Sequence, residues 1–128
     1  MIGLDTNVLI RYLVRDDEAA YQIAQDLISN SDVMIDSSVL LETEWVLRSR
    51  YKLGKGQIVG VFDWLLTASE ISFDNEAALE IAMHLWTNSV ADFADCLFVA
   101  RYMEGGCTAV ATFDRKAGKL PHTVLLAG

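Results

Sequence analysis

The chain has 128 residues, enough for one domain with a sizeable core, and a single domain over 1–128 is expected. Its 52% apolar content excludes a disordered tail, and no apolar run reaches the length of a membrane span. The formal net charge of −8 argues against a uniformly basic nucleic-acid binder, but four of the ten basic residues fall in Arg48–Lys55 and three in Arg115–Lys119.

Nothing reads as a signal peptide, so a cytoplasmic location is expected. Cys96 and Cys107 lie in apolar stretches and read as two buried thiols rather than a disulfide.

Ile2–Leu4 reads as a short buried strand that ends on Asp5. Ligands of open α/β sheets bind at that end of a strand. A first helix follows through Val8–Val14, broken at Arg15–Glu18, where Asp16 or Asp17 caps the next helix. Ala20, Ile23, Ala24, Leu27 and Ile28 give that helix its period.

Val33–Ile35 reads as the second strand, and Asp36-Ser37-Ser38 as the turn into a helix over Val39–Tyr51. Leu40, Leu41, Trp45, Val46 and Leu47 are its apolar positions. Glu42 shares a face with Val46 and so borders the apolar stripe, whereas Glu44 points away and is expected to be solvated.

A helix carrying Ile58, Val61, Phe62, Leu65 and Leu66 comes next, then a strand over Glu70–Phe73. Asp74 is expected to cap the helix over Asn75–Asn88, whose buried face is Leu79, Ala82, Met83 and Trp86. His84 has no second histidine near it and is not read as a metal ligand.

Asp92 and Asp95 stand three apart at the start of the following helix. Asp92 reads either as its cap or as a ligand, whereas Asp95 borders the apolar face of Val99 and Tyr102. Gly105-Gly106 stops the helix, and Cys107–Phe113 reads as a buried parallel strand ending on Asp114. Thr123–Leu126 is the last strand. Strands and helices alternate throughout, which predicts a parallel sheet with right-handed crossovers.

Asp5 and Asp114 end strands, and Glu42 and Asp95 open helices. In a parallel sheet all four reach the same edge. Crowded carboxylates resist ionising together. A divalent cation resolves that conflict, and Mg²⁺ or Mn²⁺ prefers oxygen donors and retains waters. One such water can attack a phosphodiester while the metal offsets the charge on the leaving oxygen. No serine or cysteine triad, phosphate-binding loop or dinucleotide motif competes.

Leu4-Asp5-Thr6-Asn7-Val8, Leu41-Glu42-Thr43-Glu44-Trp45-Val46-Leu47, Ala91-Asp92-Phe93-Ala94-Asp95 and Thr112-Phe113-Asp114-Arg115 resemble, in order, the motifs of the PIN domain. More narrowly, the chain resembles the VapC toxins of toxin–antitoxin pairs. The resemblance covers essentially the whole length. It implies a three-layer α/β/α sandwich with a short parallel sheet of four or five strands. It also implies a Mg²⁺- or Mn²⁺-dependent endoribonuclease acting on transfer or ribosomal RNA.

The family's catalytic and metal-binding acids carry over onto Asp5, Glu42, Asp95 and Asp114, with Asp92 as an auxiliary metal acid. Thr6, Asn7 and Thr112 match residues that orient the acids or the metal water. The family implies a homodimer and a VapB-type antitoxin covering the site, with DNA reached only through the antitoxin and no membrane. Arg48–Lys55 and Arg115–Lys119 are the candidate RNA contacts. A catalytically weak RNA- or protein-binding module is the alternative reading. A phosphoryl-transfer enzyme with Asp5 as nucleophile is disfavoured, because such enzymes place a second aspartate two residues on and position 7 is Asn.

Overall fold

The structure, a computed structural model, describes residues 1–127, so the last position of the expected domain, Gly128, lies outside the described residues. Five strands and six α-helices run in the order β1 (Ile2–Gly3), α1 (Thr6–Leu13), α2 (Glu18–Asn30), β2 (Val33–Ile35), α3 (Ser37–Ser49), α4 (Lys55–Thr67), β3 (Ile71–Phe73), α5 (Glu76–Thr87), α6 (Phe93–Glu104), β4 (Val110–Thr112) and β5 (Thr123–Leu125). The architecture is α/β, as expected. The chain divides into two compact units, Met1–Asp74 and Asn75 onward.

In the first unit β1, β2 and β3 form one parallel ladder with β2 in the middle. Parallel neighbours need long crossovers, and helix pairs supply them: α1 and α2 between β1 and β2, α3 and α4 between β2 and β3. The core gathers Leu9, Ile28, Val33, Ile35, Leu40, Leu47, Ile58, Phe62 and Leu65, all essentially closed to solvent. Each such side chain contributes roughly 1.5–3 kcal/mol by leaving water.

The helix starts follow from short polar side chains. Asp17 Oδ1 accepts from Ala20 N at 3.1 Å and caps α2. Asp36 Oδ2 accepts from Ser38 N at 2.9 Å and caps α3, two residues ahead of the expected start. Asp74 does not cap α5. Its carboxylate accepts from the buried Ser37 hydroxyl at 2.8 Å, tying the end of β3 to the start of α3, and Asn75 caps α5 through Ala78 N at 3.0 Å.

In the second unit α5 packs on α6, with the Trp86 and Phe93 rings 5.0 Å apart at 53°. β4 pairs in parallel with β5. The strand expected over Cys107–Phe113 is shorter, because its ladder partner spans only Thr123–Leu125. Gly106 turns at φ +93° ahead of it, and Cys107 to Ala109 stay exposed. One of the two thiols expected to be buried is therefore exposed: Cys96 is inside, Cys107 is not, and neither is in a disulfide.

Candidate active site

Asp5 comes one residue after β1, past Leu4, and is the N-cap of α1, its Oδ1 accepting from Thr6 N at 2.7 Å. That bond fixes the carboxylate at the carboxyl end of the strand. It leaves Oδ2 without a protein partner among the described residues. Thr6 itself is buried, and its Oγ1 is an orphaned hydroxyl.

Glu42 is exposed in the second turn of α3 and lines the same cavity as Asp5. This cavity has a volume of about 610 Å³ and lies wholly within the first unit. Asn7 lines it too, as do Trp45 on α3 and Arg11, Arg50 and Tyr51 at the helix ends. Asp16 braces part of this wall, accepting from Arg11 Nη1 at 3.3 Å and from the Tyr51 hydroxyl at 3.1 Å.

Glu44 corrects the sequence reading. It is 8% exposed rather than solvated, and its carboxylate receives Arg48 Nε at 2.8 Å. The buried residues of α3 include Leu40, Thr43, Glu44 and Leu47, at spacing i, i+3, i+4, i+7. Trp45 belongs to the outer face and is 52% exposed. Thr43, next to Glu42, carries a second orphaned buried hydroxyl.

In the second unit Asp92 occupies the N-cap of α6, yet its side chain makes no capping hydrogen bond. Asp95, one turn on, is half-buried. Burial holds its carboxyl protonated to higher pH than an ordinary aspartate, and the negative charges of Asp114 and Asp92 push further in the same direction.

Asp114 sits just past β4. Its Oδ1 accepts from Lys116 N at 2.8 Å and Ala117 N at 3.2 Å, while its own N–H donates to Thr112 Oγ1 at 3.0 Å. Thr112 therefore orients the acid through its backbone. A smaller cavity of about 270 Å³ takes Asp95, Tyr102, Thr112 and Thr123 into its lining.

Among the described residues, neither unit by itself gathers three His, Cys, Asp or Glu side chains as a metal cage would. The donor chemistry still fits a hard cation. Asp5 and Asp114 each keep one carboxylate oxygen clear of their backbone hydrogen bonds, and both are exposed. His84 contacts Asn88 at the end of α5. No sequence signal points to Arg11, and Trp45 reads there only as an apolar position of its helix, whereas Arg50 and Tyr51 fall inside the basic stretch Arg48–Lys55.

Residues 2–122 match the PIN domain, and the chain belongs to the PIN domain family. Its α/β fold of short parallel strands is that of a PIN domain, a nuclease-like fold. PIN domains are generally metal-dependent nucleases, and the fold fits an RNA substrate. No curated protein matches the chain. No helix among the described residues is long and apolar enough to cross a membrane.

Proposed function

We propose that this protein is a Mg²⁺- or Mn²⁺-dependent endoribonuclease, the VapC-type toxin of a type II toxin–antitoxin pair. The observation that carries this reading is the sharing of one cavity by Asp5 and Glu42, in a chain whose PIN match spans 2–122. Since that match runs through both units, we take them as one domain. Asp5, Glu42, Asp95 and Asp114 would hold the cation, with Asp92 as an auxiliary acid. A bound Mg²⁺ or Mn²⁺ would supply an activated water and offset charge on the phosphodiester.

The chain's own residues would do the rest. Thr6 N and the Lys116 and Ala117 amides fix the carboxylates of Asp5 and Asp114. Burial and the neighbouring acids favour the protonated form of Asp95, and a cation at the site would oppose that tendency, since metal and proton compete for one carboxylate. A homodimer, a VapB-type antitoxin and a cytoplasmic location complete the proposal, with DNA met only through the antitoxin.

The test is cleavage of transfer and ribosomal RNA by the partner-free chain, with Mg²⁺, with Mn²⁺ and with EDTA, beside Asp95→Asn. Cleavage that needs the metal and disappears in the variant supports the nuclease. The net charge of −8 favours a second reading, a catalytically weak RNA- or protein-binding module. No cleavage by either chain, with binding intact, selects that module.

A further inference from the structure

We infer that the cavity beside Asp5 and Glu42 is a subsite for one unpaired nucleotide of single-stranded RNA. Trp45 is the platform for its base, and Arg50 and Arg11 are the contacts for its phosphates. The inference rests on the nuclease reading only in taking RNA as the substrate. About 610 Å³ falls within the range of small-ligand pockets, roughly 300–1,000 Å³.

Trp45 stands one helical turn beyond Glu42 on α3, so its indole and the acid are neighbours on the cavity wall. The indole is half exposed and stacks on no other ring among the described residues. An open indole beside guanidiniums is the combination that binds single strands, because every base offers a π-face and every linkage a charge.

The two arginines differ in setting. Arg50 makes no ion pair among the described residues, whereas Arg48 is engaged by Glu44. Arg11 is held to the wall by Asp16, which also holds the Tyr51 hydroxyl. The basic cluster of α3 thus splits, with Arg48 serving the fold and Arg50 facing the cavity. Asp5 and Glu42 repel phosphate by themselves, so the subsite works with a divalent cation present.

A base reaches Trp45 only after leaving its own stack, and a duplex resists that exchange. The cavity therefore selects unpaired RNA.

The experiment measures anisotropy of a labelled 12-nucleotide oligouridylate (about one segment of single strand) and of the same strand in a duplex. It uses the chain with all its acids in place and Ca²⁺ instead of Mg²⁺, a cation that takes the same oxygen ligands in a looser geometry, and a gel checks that the RNA stays intact. Trp45→Ala should weaken single-strand binding about 5- to 100-fold, and Trp45→Phe should retain most of it. Arg50→Gln should reduce the slope of log affinity against log salt by about 0.7. Melting temperatures check that each variant is folded.

Single-strand binding unchanged in Trp45→Ala, or a duplex bound as well as the single strand, overturns the subsite. Loss of binding to a second protein, with RNA binding untouched, also overturns it and marks Trp45 as a protein contact. Cleavage by the same chain with Mg²⁺ in place of Ca²⁺ is scored separately. A chain that cuts nothing but needs Trp45 to bind refutes the nuclease and keeps the subsite.

Discussion

The Asp114 carboxylate at the end of β4 raises the proton affinity of Asp95 in the first turn of α6, adding to the larger effect of Asp95's own burial. Both act in one direction. Asp95 is protonated more tightly in the folded chain than in the unfolded one. Its contribution to stability is full below the ordinary aspartate value and is lost as pH rises through the folded value. Above the folded value the metal-free fold therefore carries an unfavourable charge. Asp95→Asn should raise the metal-free melting temperature slightly, by about 0.5 kcal/mol of stability, because solvent screens much of the repulsion. The same variant should lose most of the stabilisation that saturating Mn²⁺ gives the parent. Thermal melts with and without Mn²⁺ check both parts, and an unchanged metal-induced shift would remove Asp95 from the cation site.

Glu42 and Glu44 should separate cleanly, one bearing on activity and the other on stability. Glu44 is buried against the core and bonded to Arg48, whose own side chain is 57% exposed. Arg48→Ala takes that donor from a buried carboxylate and should cost roughly 1–3 kcal/mol. Glu42→Gln, on an exposed position, should stay within about 0.5 kcal/mol of the parent in stability and lose metal-dependent cleavage. Urea titrations and RNA cleavage on the two variants give the comparison, and a stable, active Glu42→Gln would contradict the assignment.

The same pair shows where the sequence stopped being legible. Asp5 and Asp114 could be read because an apolar run leads into each acid, and β1 and β4 stand just before them. The faces of α3 could not. Its buried row of Leu40, Thr43, Glu44 and Leu47 contains two polar residues, while bulky Trp45 faces out, so hydrophobicity alone rotated the helix. Burial of Glu44 depends on Arg48 reaching it, which is a contact and not a period. Asp74 and Asn75 are both good caps, and Ser37 decides between them by bonding Asp74. Cys107 to Ala109 have strand composition, but β5 sets how far the ladder runs.

The bracket of Arg11, Asp16 and Tyr51 predicts an alkaline effect. Burial, and after it the hydrogen bond to Asp16, raises Tyr51 above its ordinary value of 10.0. A raised phenol contributes stability that is full below 10.0 and is lost as pH rises through the folded value. Asp16→Asn should lower the Tyr51 midpoint without bringing it fully back, since burial remains. Spectroscopic titration of phenolate, compared with Tyr51→Phe to identify the signal, measures it. A midpoint that does not move would mean that the 3.1 Å contact does not persist in solution.

Gly118 controls the turn that presents Asp114. Its N–H donates to the Asp114 carbonyl at 2.8 Å, just after the two amides that hold the Asp114 carboxylate. A Cβ at 118 would meet Leu125 Cβ at 2.9 Å and Cδ1 at 3.0 Å, closer than side chains pack. The clash lies at the root of the Leu125 side chain, so a rotamer change alone does not relieve it. Gly118→Ala should therefore push the turn away from β5 and cost roughly 1–3 kcal/mol. Leu125→Ala removes the far atoms but keeps Cβ, so the double variant should recover only part of that loss. If the turn holds Asp114 for the cation, Gly118→Ala should also weaken Mn²⁺ binding at temperatures where the variant remains folded. Calorimetric titration of Mn²⁺ into both chains decides this, because a destabilised variant with parental affinity would confine Gly118 to packing.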